Sequence, residues 1–274
     1  MLSVNTNSGA MIALENLNSA SAQMGQAQNR ISTGLAVASP KENGAVWAIA
    51  QNERSQISAL DSVKSSLNRG SSIVDVAMSA GQSVSDLLNQ MKAQALSASD
   101  ASLDTASRQA LNADFTQTRD QIASVIQNAS FDGANLLNAG APDLAFLASA
   151  NGASLLTVRA QSLGFGGSIL TLTATASLAT ATIASLLINV VQASIVNVNA
   201  AMASLGTSSN ALTLQTTSVL DLQDTLTTGV GHLVDANMAK ESANIQALQT
   251  KQQLGIQALS IANQAPQLVL SLFK

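Results

Sequence analysis

The chain has 274 residues, which is enough for one or two domains and a buried core. Only 10% of the residues are charged and none is cysteine, so disulfides, thiolate metal sites and cysteine nucleophiles are excluded. With a net charge of −4 and dispersed basic residues, the chain lacks the electrostatic footprint of a nucleic-acid-binding protein.

The inventory of reactive side chains argues against an enzyme. His232 is the only histidine and tyrosine is absent, so no histidine cluster can bind a metal and any catalytic triad would depend on this one residue. The nearest glycine cluster, residues 164–167, lacks the spacing of a phosphate-binding loop. We expect no catalytic site, metal or cofactor. Because Gly229 and Gly231 flank His232, we interpret it as a surface or capping residue at a break between helices.

The N-terminal segment carries apolar residues at steps of three and four, the pattern of a coiled-coil helix. These seam residues are Ala10, Ala13, Leu17, Ala20, Met24, Ala27 and Ile31. Gly34 is expected to end the helix in the left-handed conformation, and Pro40 prevents an early restart.

A second seam extends over five heptads and predicts a helical rod about 50 Å long. Its residues are Leu60, Val63, Leu67, Gly70, Val74, Ala77, Gly81, Val84, Leu88, Met91 and Ala95. The two glycines each cost about 1 kcal/mol relative to alanine, so we expect them to allow another backbone to approach closely.

A third helix is predicted from Thr105 to Ala129, with Asp104 as its N-cap. Its inner side is expected to carry Arg108, Leu111, Phe115, Ile122, Val125 and Ile126. The tripeptide Phe131-Asp132-Gly133 ends this region with a turn.

The middle of the chain is the only part with a β pattern. Glycines and one proline divide it into predicted hairpins and loops, and alternating apolar and threonine residues from Leu170 to Ala176 predict a half-buried strand. The stretch Ile169 to Val191 is apolar enough for a membrane span, but its threonines and period-two alternation favour the strand.

Helical periodicity returns from Leu178 to about Thr227, interrupted at Gly206, and again from Val234 to about Ala265. The last helix has the expected seam residues Met238, Ile245, Leu248, Gly255 or Ile256, Leu259 and Ala262. Many glutamines accompany this nearly uncharged seam. Such a surface suits packing between copies, because amides can bond across subunits without desolvating a charge.

Several separated motifs resemble bacterial flagellin. They are Val4-Asn5-Thr6-Asn7, Asn16-Leu17, Arg30-Ile31-Ser32-Thr33-Gly34-Leu35, Ala48-Ile49-Ala50, the turn Phe131-Asp132-Gly133-Ala134-Asn135-Leu136-Leu137-Asn138, and Ser260-Ile261-Ala262-Asn263-Gln264-Ala265-Pro266-Gln267. The chain departs from the family pattern at Trp47, where a small residue is usual, and at Ala36-Val37, where a basic residue is usual. These departures concern local contacts between subunits.

The resemblance implies a mainly α fold, in which a long helical hairpin and a coiled-coil bundle accompany a small β-hairpin region. The inner coiled-coil domain would combine residues 1–45 with 230–274. The bundle domain would combine residues 46–138 with 178–229, and residues 139–177 would form the β-hairpin and loop region.

The resemblance also implies a structural subunit that polymerises into the helical filament of the bacterial flagellum and supports motility. Its partners would be further copies of itself, an export chaperone, the filament cap and hook-junction proteins, with no nucleic acid and no membrane. It would be extracellular, exported unfolded by the specialised type III channel without a cleaved signal peptide. The alternative is a hook-filament junction protein of the same apparatus. In either case, the nearly neutral ends are expected to become ordered when neighbours bury them.

Many flagellins are recognised by animal innate immune receptors through two arginines and a glutamate near the end of the second helix. The matching positions here are Gln90, Lys92 and Ala93. An arginine makes a planar bidentate contact that neither glutamine nor lysine reproduces. The resemblance therefore implies weak recognition by that receptor.

Overall fold

The computed structural model describes the backbone of residues 6–271 and the side-chain burial of residues 6–264. In this part, five helices are α1 (Ser8–Thr33), α2 (Gly44–Ala98), α3 (Thr105–Asn128), α4 (Ala181–Val234) and α5 (Met238–Ser271), and one antiparallel hairpin joins β1 (Leu144–Leu147) to β2 (Leu155–Val158). The predicted mainly α fold with a small β-hairpin is confirmed. Of the flagellin-like motifs, Val4 and Asn5 and the side chains of residues 265–267 lie outside the described residues.

The contacts within the chain define two compact units. Unit 1 combines Met1–Ser55 with Thr225–Lys274, and unit 2 is Gln56–Asp224. Both boundaries fall inside long helices, because α2 and α4 each continue from one unit into the other.

Unit 1 is built on the pairing of α1 with α5. The Asn7 side chain caps α1 by accepting the Ala10 N–H at 3.0 Å, and it also donates to the carbonyl of Ala262 in α5 at 2.7 Å. Gly34 ends α1 at φ +73° and donates its N–H to the Arg30 carbonyl. The predicted glycine C-cap is therefore confirmed.

The helix break predicted around His232 lies elsewhere. Helix α4 continues through both flanking glycines to Val234, because the Asp235 N–H still bonds to the Gly231 carbonyl at 2.8 Å. The break comes where the chain pairs with the segment after α1: the Ala36 N–H donates to Val234, and the Ala236 N–H donates to the Gly34 carbonyl. The side chain of His232 is exposed on the last turn of α4.

Helix α4 also continues through Gly206, where the sequence pattern predicted an interruption. A Cβ atom at this glycine would meet nothing within 4 Å. A helical glycine keeps its backbone hydrogen bonds and only lowers the local helix propensity. A single glycine is therefore insufficient to end this 54-residue helix.

In unit 2, α3 lies beside α2. The predicted N-cap Asp104 accepts the Ser107 N–H at 2.7 Å, and the Gln94 amide of α2 donates to the Thr118 hydroxyl at 3.3 Å. Arg108, expected on the inner side of α3, has a more specific role. Its guanidinium donates to the carbonyl of Ala98, the last residue of α2, and to the carbonyls of Asp100 and Leu103 in the loop that follows.

Side chains, rather than the expected second backbone, approach Gly70 and Gly81. A Cβ atom at Gly70 would lie 3.0 Å from the ring of Phe146 in β1, and one at Gly81 would overlap the sulfur of Met202 in α4. The missing side chains thus leave space for a buried aromatic ring and a thioether. Through these contacts the β-hairpin and α4 both pack against α2.

The strand predicted between Leu170 and Ala176 is absent from the described backbone, where this segment is irregular. Leu170 and Leu172 are buried, as the alternation predicts. Within the described backbone, however, no neighbouring strand pairs with this segment. Instead the Thr171 N–H donates to the buried Ser194 hydroxyl of α4 at 3.1 Å, and the Thr171 hydroxyl donates to Val190 at 3.2 Å. The period-two pattern arises from an irregular segment whose leucines are buried and whose Thr171 is hydrogen-bonded to a helix.

Candidate functional site

The predicted α1 seam lies on one side of that helix. All seven of its residues are buried or half-buried, and Ala20 and Ala27 are only 7% and 2% exposed. Contact with α5 is direct, since a Cβ atom at Gly255 would lie 3.4 Å from the Leu17 side chain. The seam of α1 therefore packs against α5 within one copy.

The α5 seam begins one turn later than the sequence predicted. Met238 is the first residue of α5 and is 43% exposed, whereas Glu241 is 9% exposed. The seam then continues in a heptad pattern through Ile245, Leu248, Gln252, Gly255, Leu259 and Ala262. Between the two candidates left open by the sequence, Gly255 faces α1 and Ile256 is 55% exposed.

Glu241 holds the start of the seam through a charged cluster that the apolar pattern did not predict. Arg30 of α1 contacts Glu241 at 3.3 Å and Glu42 at 3.7 Å. Glu42 also accepts the Ala38 N–H at 2.7 Å. The signal in the sequence that could have predicted this cluster is the scarcity of charged residues near both ends of the chain. An isolated charged residue on an apolar helix requires a partner of opposite charge when it is buried.

Apolar side chains of unit 1 are also open to solvent outside the seam, on more than one side of α1 and α5. Among the described residues of α1 and α5, the large apolar side chains that are exposed are Met11, Ile12, Leu14, Met238, Leu254, Ile256 and Ile261, with exposed fractions between 43% and 68%. A groove of about 490 Å³ lies between the helices, lined by small residues such as Ala13 and Gly255 and by polar residues that include Gln23 and Lys251. Apolar surface of this kind marks a site for another chain.

The predicted bundle seam is internal to the protein. All eleven residues are buried in α2, and Leu67, Leu88 and Met91 have no exposed surface. These side chains stabilise the core of the molecule and are not available to a partner.

The positions that correspond to the receptor motif lie on α2. Gln90 and Ala93 are exposed, while Lys92 is half-buried and donates to the Gln192 side chain of α4 at 2.6 Å. The surface presented at these positions carries neither an arginine nor a carboxylate.

The titratable groups with shifted pKa values belong to the loop between α2 and α3. Hydrogen bonds from the backbone and side chain of Ser107 lower the pKa of the Asp104 carboxyl, and equivalent bonds from Ser102 lower that of Asp100. Both carboxylates serve as caps of exposed backbone. Among the described residues, no group of three or more histidine and acidic side chains is placed to hold a metal ion.

Within the described part of the chain, α4 is the one helix long and apolar enough to cross a membrane by length and composition. In its most apolar 18-residue stretch, 28% of the residues are buried. This helix also contacts α2 through Met202 and Gln192.

Comparisons with known proteins agree along the whole chain. Residues 4–141 match the bacterial flagellin N-terminal helical region, and residues 188–273 match the bacterial flagellin C-terminal helical region. Flagellin FljM of Caulobacter vibrioides is 51% identical over 272 residues, covering 99% of this chain and 98% of the relative.

Two solved structures share the fold. A Bacillus cereus flagellin gives a TM-score of 0.51 at 20% identity and covers 57% of this chain and 88% of its own. A Vibrio parahaemolyticus protein described as flagellar hook-associated gives 0.59 at 16% identity and covers 71% and 100%. Because the full-length sequence match is to a flagellin and both end regions match the flagellin models, the chain belongs to the bacterial flagellin family, the structural subunits of the flagellar filament.

Proposed function

We propose that α1 and α5 are the element through which this subunit polymerises. The observation that carries the proposal is that the apolar residues of these helices are not confined to the seam between them. The seam residues are covered within the copy, but side chains such as Ile12 and Ile261 are 59% and 68% exposed. An amphipathic helix in a finished globular protein would leave mainly polar groups outside the seam.

The energetic argument is the burial of these exposed apolar side chains between neighbours. Each square ångström of apolar surface removed from water contributes about 25 cal/mol. The exposed surface has few charges to desolvate, so little of this gain is offset. Folding of the ends and association are then coupled, because neighbours supply the surface that completes the helices.

Ile261→Asp tests this role. The variant is expected to remain monomeric under conditions in which the parent chain elongates, as followed by light scattering and sedimentation. Thr228→Asp is the matched control, since it adds the same charge at an exposed position of α4 in the same unit. Equal polymerisation of Ile261→Asp and the parent chain would refute the assembly role of this surface.

The same proposal includes the export route of the subunit and its partner proteins. The subunit leaves the cell unfolded through the type III channel, keeps its N-terminus uncleaved, and meets an export chaperone, the filament cap and hook-junction proteins on the way. Intact mass measurement of subunits recovered from filaments tests the uncleaved N-terminus. A mass lacking an N-terminal peptide would contradict it.

The role is structural and not catalytic, and a filament subunit is favoured over a hook-filament junction protein. The filament subunit is favoured because Flagellin FljM matches this chain over nearly its full length. Purified subunit is expected to form long filaments when precipitating salt is added. A chain that stays soluble and only binds to the ends of existing filaments would support the junction role.

A further inference from the structure

Two asparagines of the chain are followed directly by glycine, namely Asn43 and Asn151. A glycine has no Cβ atom to shield its backbone nitrogen, so this nitrogen can reach the side-chain carbonyl carbon of the asparagine before it. Asn151 and Gly152 lie in the turn that joins β1 to β2. Both residues are exposed, and a Cβ atom at Gly152 would meet nothing within 4 Å. The reacting groups of this dipeptide are therefore open to water.

The side-chain oxygen of Asn151 accepts two hydrogen bonds within the turn. The Ser149 hydroxyl donates to this Oδ1 atom at 2.8 Å, and the Ala153 N–H donates to it at 3.1 Å. The Ser154 N–H donates to the Ser149 Oγ atom at 3.0 Å, which leaves the hydroxyl proton of Ser149 directed at Asn151. Because a backbone N–H can only donate, the bond from Ala153 also identifies the oxygen atom of the amide.

Ser149 contacts the backbone of Gly152 as well. The Gly152 N–H donates to the Ser149 carbonyl at 3.1 Å. When a nitrogen attacks a carbonyl carbon, negative charge develops on the carbonyl oxygen, and donors that are already in place stabilise it. The two donors to the Asn151 Oδ1 atom are in that position. Release of the Gly152 nitrogen breaks only one bond of an exposed turn.

We propose that Asn151 is a site of spontaneous deamidation and that Ser149 promotes the reaction. The Gly152 nitrogen forms a bond to the Cγ atom of Asn151 and loses its proton to water. The bond from Cγ to the side-chain nitrogen breaks, and ammonia leaves with a proton returned from water. One water molecule then opens the cyclic imide, which gives aspartate or, when the backbone carbonyl is attacked, isoaspartate. Water is the only other reactant.

Asn43 presents the same dipeptide in a different setting. Its Oδ1 atom accepts the Val46 N–H at 3.2 Å and its backbone carbonyl accepts the Trp47 N–H at 3.0 Å, so it caps the first turn of α2. Ring closure at this position would have to open the start of a 55-residue helix. The residue two positions earlier is Lys41, in the place of the assisting serine. Asn43 is therefore expected to react more slowly.

Deamidation changes both the charge and the backbone of the turn. Residues 144–158 carry no charged side chain, so the product introduces a carboxylate into a neutral hairpin. Isoaspartate also adds a carbon atom to the backbone of the turn. The bond from the Ala148 N–H to the Ser154 carbonyl closes the hairpin at 2.9 Å, and turn length fixes this register. Because the ammonia is lost to water, the fraction of altered copies increases with the age of the protein.

Mass spectrometry of peptides from the full chain tests the site. Purified chain is incubated at neutral pH in water labelled with heavy oxygen, which marks each deamidation that occurs during the incubation. In the folded chain, labelled product is expected to accumulate faster at Asn151 than at Asn43. In concentrated urea, where the hydrogen bonds of both turns are lost, the two rates should become similar. Equal rates in the folded chain, or a faster reaction at Asn43, would overturn the proposal. The test requires no polymer, so its outcome is independent of the filament role.

Variants of Ser149 test its assisting role. Ser149→Ala is expected to slow deamidation at Asn151 about fivefold, which corresponds to one hydrogen bond of ordinary strength, and to leave the rate at Asn43 unchanged. Ser149→Thr keeps the hydroxyl and should retain the rate of the parent chain. Ser154→Ala is the matched control, because the bond from Ser154 to Ser149 uses the backbone N–H. An unchanged or faster reaction in Ser149→Ala would contradict the role of this serine.

Discussion

The sulfur of Met202 in α4 occupies the space that a Cβ atom of Gly81 in α2 would need. The two helices approach each other here because α2 has no side chain at this position. Polar contacts of the same helix pair lie nearby, with the Ser85 hydroxyl 3.3 Å from the Asn199 side chain. Any side chain at position 81 would therefore have to displace the Met202 thioether.

Substitution of Gly81 is expected to destabilise the protein. Gly81→Val would displace the Met202 side chain, and overpacking of this kind costs about 1–3 kcal/mol. Gly206→Ala is the control, because a Cβ atom at that helical position meets nothing within 4 Å. This alanine is expected to raise the free energy of unfolding by about 0.4–1 kcal/mol. Thermal unfolding of both variants checks the pair; a higher melting temperature for Gly81→Val would contradict the close contact.

Truncation at either end is expected to abolish filaments without unfolding unit 2. Removal of residues 1–34 or 231–274 takes away one partner of the α1–α5 pair, while the buried seam of α2 is retained. Circular dichroism should show the remaining helix, and sedimentation should show a monomer. Filaments of normal length from either truncation would be inconsistent with an assembly role for the ends.

The N-cap Asp104 is expected to make stability depend on acid pH. Its pKa is lowered in the folded chain by hydrogen bonds from Ser107, so the unfolded state binds the proton more readily. The stabilisation is present above the unfolded pKa and is lost as the pH falls through the folded pKa. Melting temperatures measured from neutral to acid pH should converge for the parent chain and Asp104→Ala. Asp104→Asn is the control, because asparagine caps a helix without titrating in this range; a constant difference between parent and Asp104→Ala at every pH would contradict this account.

The surface around Gln90, Lys92 and Ala93 is expected to give weak signalling through the innate immune receptor. Losing hot-spot contacts typically costs 2 kcal/mol or more each, so two losses would weaken binding by about two or more orders of magnitude. A reporter-cell assay should show a gain in potency for Gln90→Arg combined with Ala93→Glu. Gln82→Arg, at an exposed position of the same helix, controls for added positive charge, and full potency in the parent chain would contradict the expectation.

The parts of the fold that the sequence predicted well are those with a repeated local pattern. The heptad seam of α2, the glycine after α1 and the Asp104 cap follow from spacing and backbone preference, which neighbouring residues determine. All of these features appear in the structure. Long amphipathic helices are predictable because each turn repeats the same information.

The errors occurred where a distant segment decides the local structure. The alternation from Leu170 to Ala176 is the same for a strand and for an irregular segment bonded to α4, and the bond from Thr171 to Ser194 lies outside that pattern. The glycines near His232 weaken the helix without ending it, since the break depends on pairing with residues after α1. Met238 fits the heptad spacing but is the first residue of α5 and is exposed, so burial begins at Glu241, which Arg30 contacts.

The pairing of the two segments that leave α1 and α4 also constrains their lengths. Leu35 and Asp235 face each other in an antiparallel bridge, although 200 residues separate them in the sequence. Inserting one residue before Ala36 would shift its N–H away from the Val234 carbonyl and reverse the side of the bridge that each following residue faces. A change of length in one of these segments alone should therefore remove the hydrogen bonds between them, so insertions and deletions here are expected to be tolerated as matched pairs.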